Sequence, residues 1–262
     1  MAELTGADLG RYRAAVRASA AHAPGSQALA LAALRSFLRW AGTMGAHSLP
    51  ESMVRAQLKT PTGRVQRPYV VLTELEVAAL LGAADTDRDR ALLAVLMGAG
   101  LRVGEAVGLD VSDLIEDASG GAALYVRQGK GRKDRTVPIQ PEVTATLRRY
   151  LAATGRTMGA PGPMFRAHDR AARKLPRDRL TARAVGFVVA RCTERAGIDA
   201  KRVTPHSLRH TYAMRALTAG AQLLAVSKLL GHASVTTTQR YVDHLSLREL
   251  RDAVPHLPTA AA

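Results

Sequence analysis

Cysteine is almost missing from this chain of 262 residues: Cys192 stands alone. That excludes a disulfide within the chain and any metal shell built on several cysteines, and it fits a reducing cytosol. Acidic residues are scarce as well. Only 22 Asp and Glu face 37 Lys and Arg, leaving a formal charge of +15. No acidic triplet suited to magnesium is evident. There is no long hydrophobic run either. The longest, ALLAVLMGAGL from Ala91 to Leu101, is bounded by Arg90 and Arg102. It is too short to span a bilayer and reads as a buried helix. The start, MAELTGADLG, lacks a basic segment followed by an apolar one, so no secretory signal is expected. These absences predict a cytoplasmic protein that does not enter a membrane. No internal repeat or low-complexity tract is present.

What is abundant is positive charge, which implies a polyanionic partner, most often nucleic acid. The charge is not confined to one part. Residues 1–66 hold eight Lys/Arg against three Asp/Glu, and the remainder holds 29 against 19. Apolar residues make up 47%, ample for a core.

Helical periodicity marks residues 4–20 and 27–42, with APGS at 23–26 between them and Ser26 as the expected N-cap. In the second segment Leu29, Leu34, Phe37, Leu38 and Ala41 fall on one side, and Trp40 is expected to pack. Pro50, Pro61, Gly63 and Pro68 then interrupt the pattern, which predicts a linker over 49–68. From Thr73 the chain becomes helical again, Thr73 and Glu76 forming a capping box. The helix of residues 87–98 is expected to end at Gly98 or Gly100, and LRVGEAVGL begins another. Two β-prone runs, Leu124–Arg127 and Arg135–Ile139, flank a Gly/Lys-rich loop and predict a hairpin. Further helices follow, the first with Pro141 in its opening turn. The fold class is thus mainly α with a small antiparallel sheet.

Five polar motifs lie along the helical part: Arg102 in GLRVGE, Lys130 in QGKGRKDRTVP, His206 and Arg209 in HSLRH, His232 in LLGHAS, and Tyr241 in TTTQRYV. Each alone recurs by chance. A zinc site on His206 and His210 at i, i+4 lacks the glutamate of HExxH, since Ser207 stands there, and lacks further ligands. His210 is therefore read as a residue that packs or orients its neighbours. Phosphodiester chemistry uses the whole set. It needs cations on the non-bridging oxygens, a nucleophile and a proton donor for the leaving oxygen. Two arginines suit two phosphate oxygens. His206 and Arg209, at i, i+3, share a helix face. His232 adds a donor, Tyr241 an oxygen able to hold a phosphate, and Lys130 a proton.

In order and spacing these motifs resemble the tyrosine recombinases, the phage integrase and Xer family, over residues 68–245. The resemblance implies that Arg102, Lys130, His206, Arg209, His232 and Tyr241 are the catalytic set, with Glu105 orienting it. It implies a catalytic domain at 69–245, preceded by a short helical core-DNA-binding domain at 1–48 and followed by a tail at 246–262. Leu245, just before that tail, and Leu247, Leu250 and Val254 within it line an amphipathic helix expected to dock on a neighbouring protomer. The resemblance further implies cleavage by tyrosine to a 3′-phosphotyrosyl link, without metal, ATP or other cofactor. The partners implied are double-stranded DNA core sites and a homotetramer on two synapsed sites. About 66 residues precede the catalytic domain, room for two or three helices and none for a separate arm-binding domain. Arg35, Arg39, Arg55, Lys59, Arg132, Lys133 and Arg135 are the expected DNA-backbone contacts, with Lys133 a rival to Lys130 as acid. Two other readings remain open: a type IB topoisomerase, which acts without synapsis, and a DNA-binding protein that does not cut.

Overall fold

The computed structural model of the chain describes residues 4–19, 23–59, 69–116, 121–127, 134–167, 179–232 and 234–242. The chain divides into two compact units, Met1–Arg67 and Pro68–Ala262. No described helix is long and apolar enough to cross a membrane.

The first unit contains α1 (Gly6–Ala18), α2 (Pro24–Thr43) and α3 (Glu51–Gln57). Thr5 caps α1, its hydroxyl accepting from the Asp8 N–H while the Asp8 carboxylate accepts from the Thr5 N–H at 2.8 Å. That reciprocal pair satisfies two donors a helix start leaves open. α2 opens differently from the sequence reading. Pro24 sits in its first turn and no side chain caps it, because the fixed φ of proline already suits that position. Ser26 is therefore inside the helix rather than its cap.

Leu9, Leu31, Leu38, Val54 and Leu58 form this unit's core. Two expectations fall here. The segment expected to be a linker contains α3, whose Val54 and the adjoining Leu58 are buried. Two apolar anchors over seven residues are too few to register as periodicity. The rest of that segment, 60–68, lies outside the described residues. On α2, Leu29, Phe37 and Trp40 are exposed, at 71%, 56% and 58%. This helix carries apolar residues on nearly every side, so its pattern does not single out a face. Packing against α1 and α3 does, and it selects Leu31, Leu38 and Ala41.

The second unit begins with α4 (Glu74–Gly82), α5 (Asp87–Gly98) and α6 (Val103–Gly108). Thr73 and Glu76 make the expected capping box at α4, and Gly98 ends α5. α5 is the hub. It packs against α4, α6, α9 (Pro205–Thr218) and α7 (Pro141–Ala153), and Ala91, Leu92, Leu93, Val95 and Leu96 on it are fully buried. A helix apolar all round belongs inside. A short sheet stands beside these helices, in the order β1 (Leu114–Glu116), β2 (Ala122–Val126), β3 (Arg135–Ile139), antiparallel throughout. β2 and β3 match the expected hairpin. β1 is an addition, too short at three residues to show an alternation. Leu124 and Val137 face each other across the ladder and both point to the core. Beyond α7 come α8 (Ala182–Arg195), α10 (Leu223–Leu230) and α11 (Val235–Val242).

These assignments predict that Leu96→Ala costs about 2–5 kcal/mol of stability, the scale of a core cavity. Leu29→Ala should change stability by no more than about 0.5 kcal/mol, as at other exposed positions. Urea denaturation of the two variants checks both; a large loss at Leu29 would mean the sequence-derived face of α2 is the buried one.

Candidate active site

A helix leaves its last carbonyls without partners inside the helix. α10 ends at Gly231, which turns left-handed at φ 63° and ψ 47°, a conformation glycine adopts without a Cβ penalty. Three arginines from distant parts of the chain take up the carbonyls there. Arg135 Nε donates to Leu229 O at 2.8 Å, and Arg209 donates to Leu230 O at 2.6 Å. Arg102 donates to Gly231 O at 3.3 Å and to Leu230 O at 3.4 Å. Cations at a helix C-terminus also complement its dipole.

Glu105, in the first turn of α6, binds the same three guanidiniums. Arg135 grips it with two hydrogen bonds of 3.0 and 2.8 Å, Arg102 reaches it at 2.8 Å, and Arg209 stands 3.8 Å away. The Arg102 backbone N–H donates to it as well, at 2.8 Å. Burial would raise the Glu105 pKa. The Arg135 hydrogen bonds and the Arg102 N–H outweigh it and hold the carboxyl at about 2. Arg209, almost fully buried, is lowered to about 10 by burial and by the charge of Arg102, still protonated at neutral pH. Its second nitrogen donates to Gly100 O at 2.7 Å. Gly100 has φ +61°, and a Cβ there would lie 2.2 Å from the Tyr212 ring, so that carbonyl is aimed by a position only glycine can fill.

α9 brings the histidines. Thr204 caps it and Pro205 opens it, which places His206, Arg209 and His210 on its first two turns. His206 is exposed, and its ring meets that of His210 edge-on, 4.2 Å between centroids. Its pKa is lowered, by desolvation first and then by Arg209 and Arg102. His210 is buried, and its Nδ1 lies 2.8 Å from the Tyr241 hydroxyl. Tyr69 packs on both, with centroids 4.1 Å from His210 and 5.1 Å from Tyr241. His232 lies nearly parallel to the Tyr241 ring at 6.5 Å, and its Nδ1 is 2.7 Å from the Thr238 hydroxyl. Burial and then Arg209 push its pKa down to about 4, so it is neutral at pH 7. Tyr241 is only 3% exposed. Burial pushes its pKa up to about 12, against the opposing charge of Arg209.

Arg102, Glu105, His206, Arg209, His232 and Tyr241, scattered over about 140 residues, thus meet in one cluster. Lys130 lies outside the described residues, as do Arg132, Lys133 and the tail at 246–262. Arg135 corrects the sequence reading. Expected on the DNA backbone, its side chain is 10% exposed and committed to Glu105 and to Leu229 O. It stands at the root of the hairpin, on β3, where it can reach inward. Sequence reasoning also undervalued His210: its partner is 31 residues away, and no local pattern signals that pairing. Although His206 and His210 touch, no group of three metal-ligating side chains occurs among the described residues. Arg35, Arg39 and Lys59 belong to the first unit. Arg39 pairs with Glu51 at 3.2 Å. Arg35, Arg39 and Arg55 line a cavity of about 300 Å³ there, with His47 and Thr43. Lys59 is exposed.

Residues 70–248 match the phage integrase family. The chain belongs to that family. Among its relatives, the tyrosine recombinase XerC of Rhodospirillum centenum is 37% identical over 252 residues, covering 92% of this chain and 69% of the relative. A crystal structure of the XerA recombinase is similar at 32% identity and a TM-score of 0.60, covering 95% of this chain and 81% of that one. A XerH recombinase bound to palindromic difH in a post-cleavage complex shares the fold, with a TM-score of 0.71 at 21% identity over 95% of this chain and 71% of that one. The family match covers the unit that carries the cluster, and tyrosine recombinases are enzymes that cut and rejoin DNA.

The electrostatics of this phage integrase family site yield a stability prediction. The Glu105 pKa is lowered from 4.5 to about 2. Its contribution, about 3 kcal/mol by linkage, is complete above pH 4.5 and lost as pH falls through 2. Glu105→Gln should destabilise the protein at pH 7 by about 3–5 kcal/mol, because Arg135 would be left buried without its charge partner. It should also flatten the acid limb of stability between about pH 5 and 2. Denaturant titrations of both proteins across that range provide the check; an unchanged acid limb in the variant would place the titrating group elsewhere.

Proposed function

We propose that the chain is a site-specific recombinase that cuts and rejoins double-stranded DNA through a 3′-phosphotyrosyl intermediate on Tyr241. The observation that carries this reading is the gathering of a phenol, two histidines and two arginines around one point, with the arginines already fixed before any substrate arrives. The names of the relatives and the excess of 15 positive charges support DNA as the partner.

In this reading the scissile phosphate enters beside Arg102, whose side chain is 34% exposed. Arg102, Arg209 and His206 bind its non-bridging oxygens. Such groups stabilise the transition state because they need no reorganisation as charge develops. If the neutral His232 accepts the Thr238 hydroxyl proton at Nδ1, its Nε2–H is a further donor. The buried Tyr241 must swing outward with α11 to meet phosphorus. Its oxygen bonds to phosphorus as the P–O5′ bond breaks, and Lys130 supplies the proton to O5′. The 5′-hydroxyl of a partner strand then attacks the phosphotyrosine. No ATP or metal is consumed, since the phosphotyrosyl bond retains the phosphodiester energy. Four protomers on two synapsed core sites would complete the exchange, with residues 246–262 docking between neighbours. The biological setting would be a phage or mobile-element integrase, or a Xer-like resolvase, acting in the cytoplasm.

Tyr241→Phe should bind DNA as the wild type does and form no covalent adduct on a suicide substrate. Cleavage by the wild type should persist in excess EDTA. An adduct with the Phe variant, or loss of cleavage restored by magnesium, would overturn the respective claim.

Lys130→Ala should slow cleavage by about a hundredfold, the scale of a lost general acid. Replacing the bridging 5′-oxygen by sulfur should restore it, because a thiolate leaves without a proton. Arg209→Ala should not be restored. Rescue of Lys133→Ala by sulfur, with none for Lys130→Ala, would move the acid to Lys133.

A further inference from the structure

Tyr241 is 3% exposed, yet its oxygen must reach a phosphate that arrives from solvent. The observed rate of attack therefore contains the fraction of time that the phenol spends outside its pocket. Hydrogen bonds hold α11 in the buried position: the Tyr241 hydroxyl lies 2.8 Å from His210 Nδ1, and the Thr238 hydroxyl 2.7 Å from His232 Nδ1. A ring covers the phenol as well. Tyr69 lies against Tyr241 and His210 together, with centroids 5.1 Å and 4.1 Å away and planes inclined by 37° and 34°.

The backbone that carries Tyr69 is itself anchored. Three residues on, Leu72 is buried, and its N–H donates to the Thr211 hydroxyl on α9 at 3.0 Å. That hydroxyl donates in turn to Ser207 O, one turn earlier, at 3.0 Å. Tyr69 and Val71 pack on Ala213, Met214, Val226, Leu230 and Tyr241. Residues 69–72 thus form a short strap laid along α9, and Tyr69 at its start reaches the phenol. The contact is one of ring surfaces, so the Tyr69 hydroxyl is not what makes it.

We propose that Tyr69 is a positioning residue for the attack: its ring clasps Tyr241 in the buried position and so limits how often the phenol reaches phosphorus. The assignment rests on the phosphotyrosyl reading and deepens it. Tyr69 touches no reacting atom in this role. It acts before the chemistry, on the balance between the buried and the released phenol, and it restrains a protomer from nicking DNA each time a phosphate comes within reach. A contact made in the resting state and given up before the transition state slows a reaction. One aromatic contact weights such a balance by about two- to tenfold. A bare packing role predicts that trimming Tyr69 loosens the pocket and slows cleavage. The clasp predicts the reverse, a faster attack once the ring is gone.

The test compares Tyr69→Ala, Tyr69→Leu and Tyr69→Phe with the wild type, using the full chain. Tyr69→Ala removes the ring. Tyr69→Leu removes it but keeps apolar bulk, and stands in should Tyr69→Ala fail to fold. Tyr69→Phe keeps the ring and loses only the hydroxyl. Two quantities are read. One is nitration of Tyr241 by tetranitromethane in the DNA-free protein, located by peptide mass spectrometry. The other is the single-turnover rate of the Tyr241 adduct on a saturating suicide substrate. In Tyr69→Ala and Tyr69→Leu both should rise together by about two- to tenfold, with DNA affinity unchanged. Tyr69→Phe should keep the wild-type values of both. An adduct rate that falls or stays the same in the variants without the ring would overturn the proposal and leave Tyr69 a packing residue. So would a rise in nitration with no rise in adduct, since release would then not limit attack. An equal rise in Tyr69→Phe would overturn it too, because the hydroxyl and not the ring would be the restraint. If the wild type forms no adduct at Tyr241 at all, the phosphotyrosyl reading fails first and the role in attack falls with it, an outcome told apart by nitration, which needs no cleavage.

Discussion

The end of α10 and the carboxylate of Glu105 form one electrostatic joint, and the arrangement of the cluster depends on it. Three guanidiniums close together repel one another. They stay because Glu105 neutralises part of the charge and the open carbonyls of Leu229, Leu230 and Gly231 take the hydrogen bonds. Arg135 is enclosed by this joint and serves it as a strut. Arg102 is left partly open to solvent, with its direction already set. The cost of collecting positive charge in a half-buried place is thus met at folding, so a phosphate would enter a site whose cations do not have to rearrange.

The same joint connects elements that have little else in common. Arg102 caps α6, Arg135 begins β3 and Arg209 lies on α9, while the acceptors close α10. The small sheet, marginal in size, gains a purpose here: it carries Arg135 to the helix end. The glycine at position 100 gains one too, since its carbonyl receives Arg209 across 109 residues. The surroundings of Tyr241 are of another kind. Tyr241 sits in an apolar and aromatic pocket of Tyr69, Met214, Val226 and Leu230, so burial sets its pKa, whereas specific charges set that of Glu105.

Much of this was legible in the chain itself because the signals are local. Thr73 with Glu76, and Pro141 at a helix start, are short-range rules of helix termini, and the structure follows them. The ordered polar motifs were legible because their residue types and spacing are hard to assemble by chance. What escaped depends on partners far along the chain. Arg135 reads as one more basic residue on a basic hairpin until Glu105 is placed 30 residues earlier, beside it. His210 reads as packing until α11 brings Tyr241 to it. α3 was lost among prolines, and the buried face of α2 was misjudged because a helix apolar on most sides is oriented by its neighbours.

That the arginines find their acceptors on α10 has a bearing on how the protein is made. Arg102 and Arg135 precede Leu230 by 128 and 95 positions, and Arg209 by 21. During synthesis from the N-terminus, the early arginines therefore exist for a long interval with no helix end to hold them. Until Gly231 has left the ribosome the cations cannot settle into their final directions, and Tyr241 comes later still. A chain interrupted in translation would carry the positive charge that attracts nucleic acid but neither the ordered arginines nor the phenol. It could adhere to DNA without breaking it.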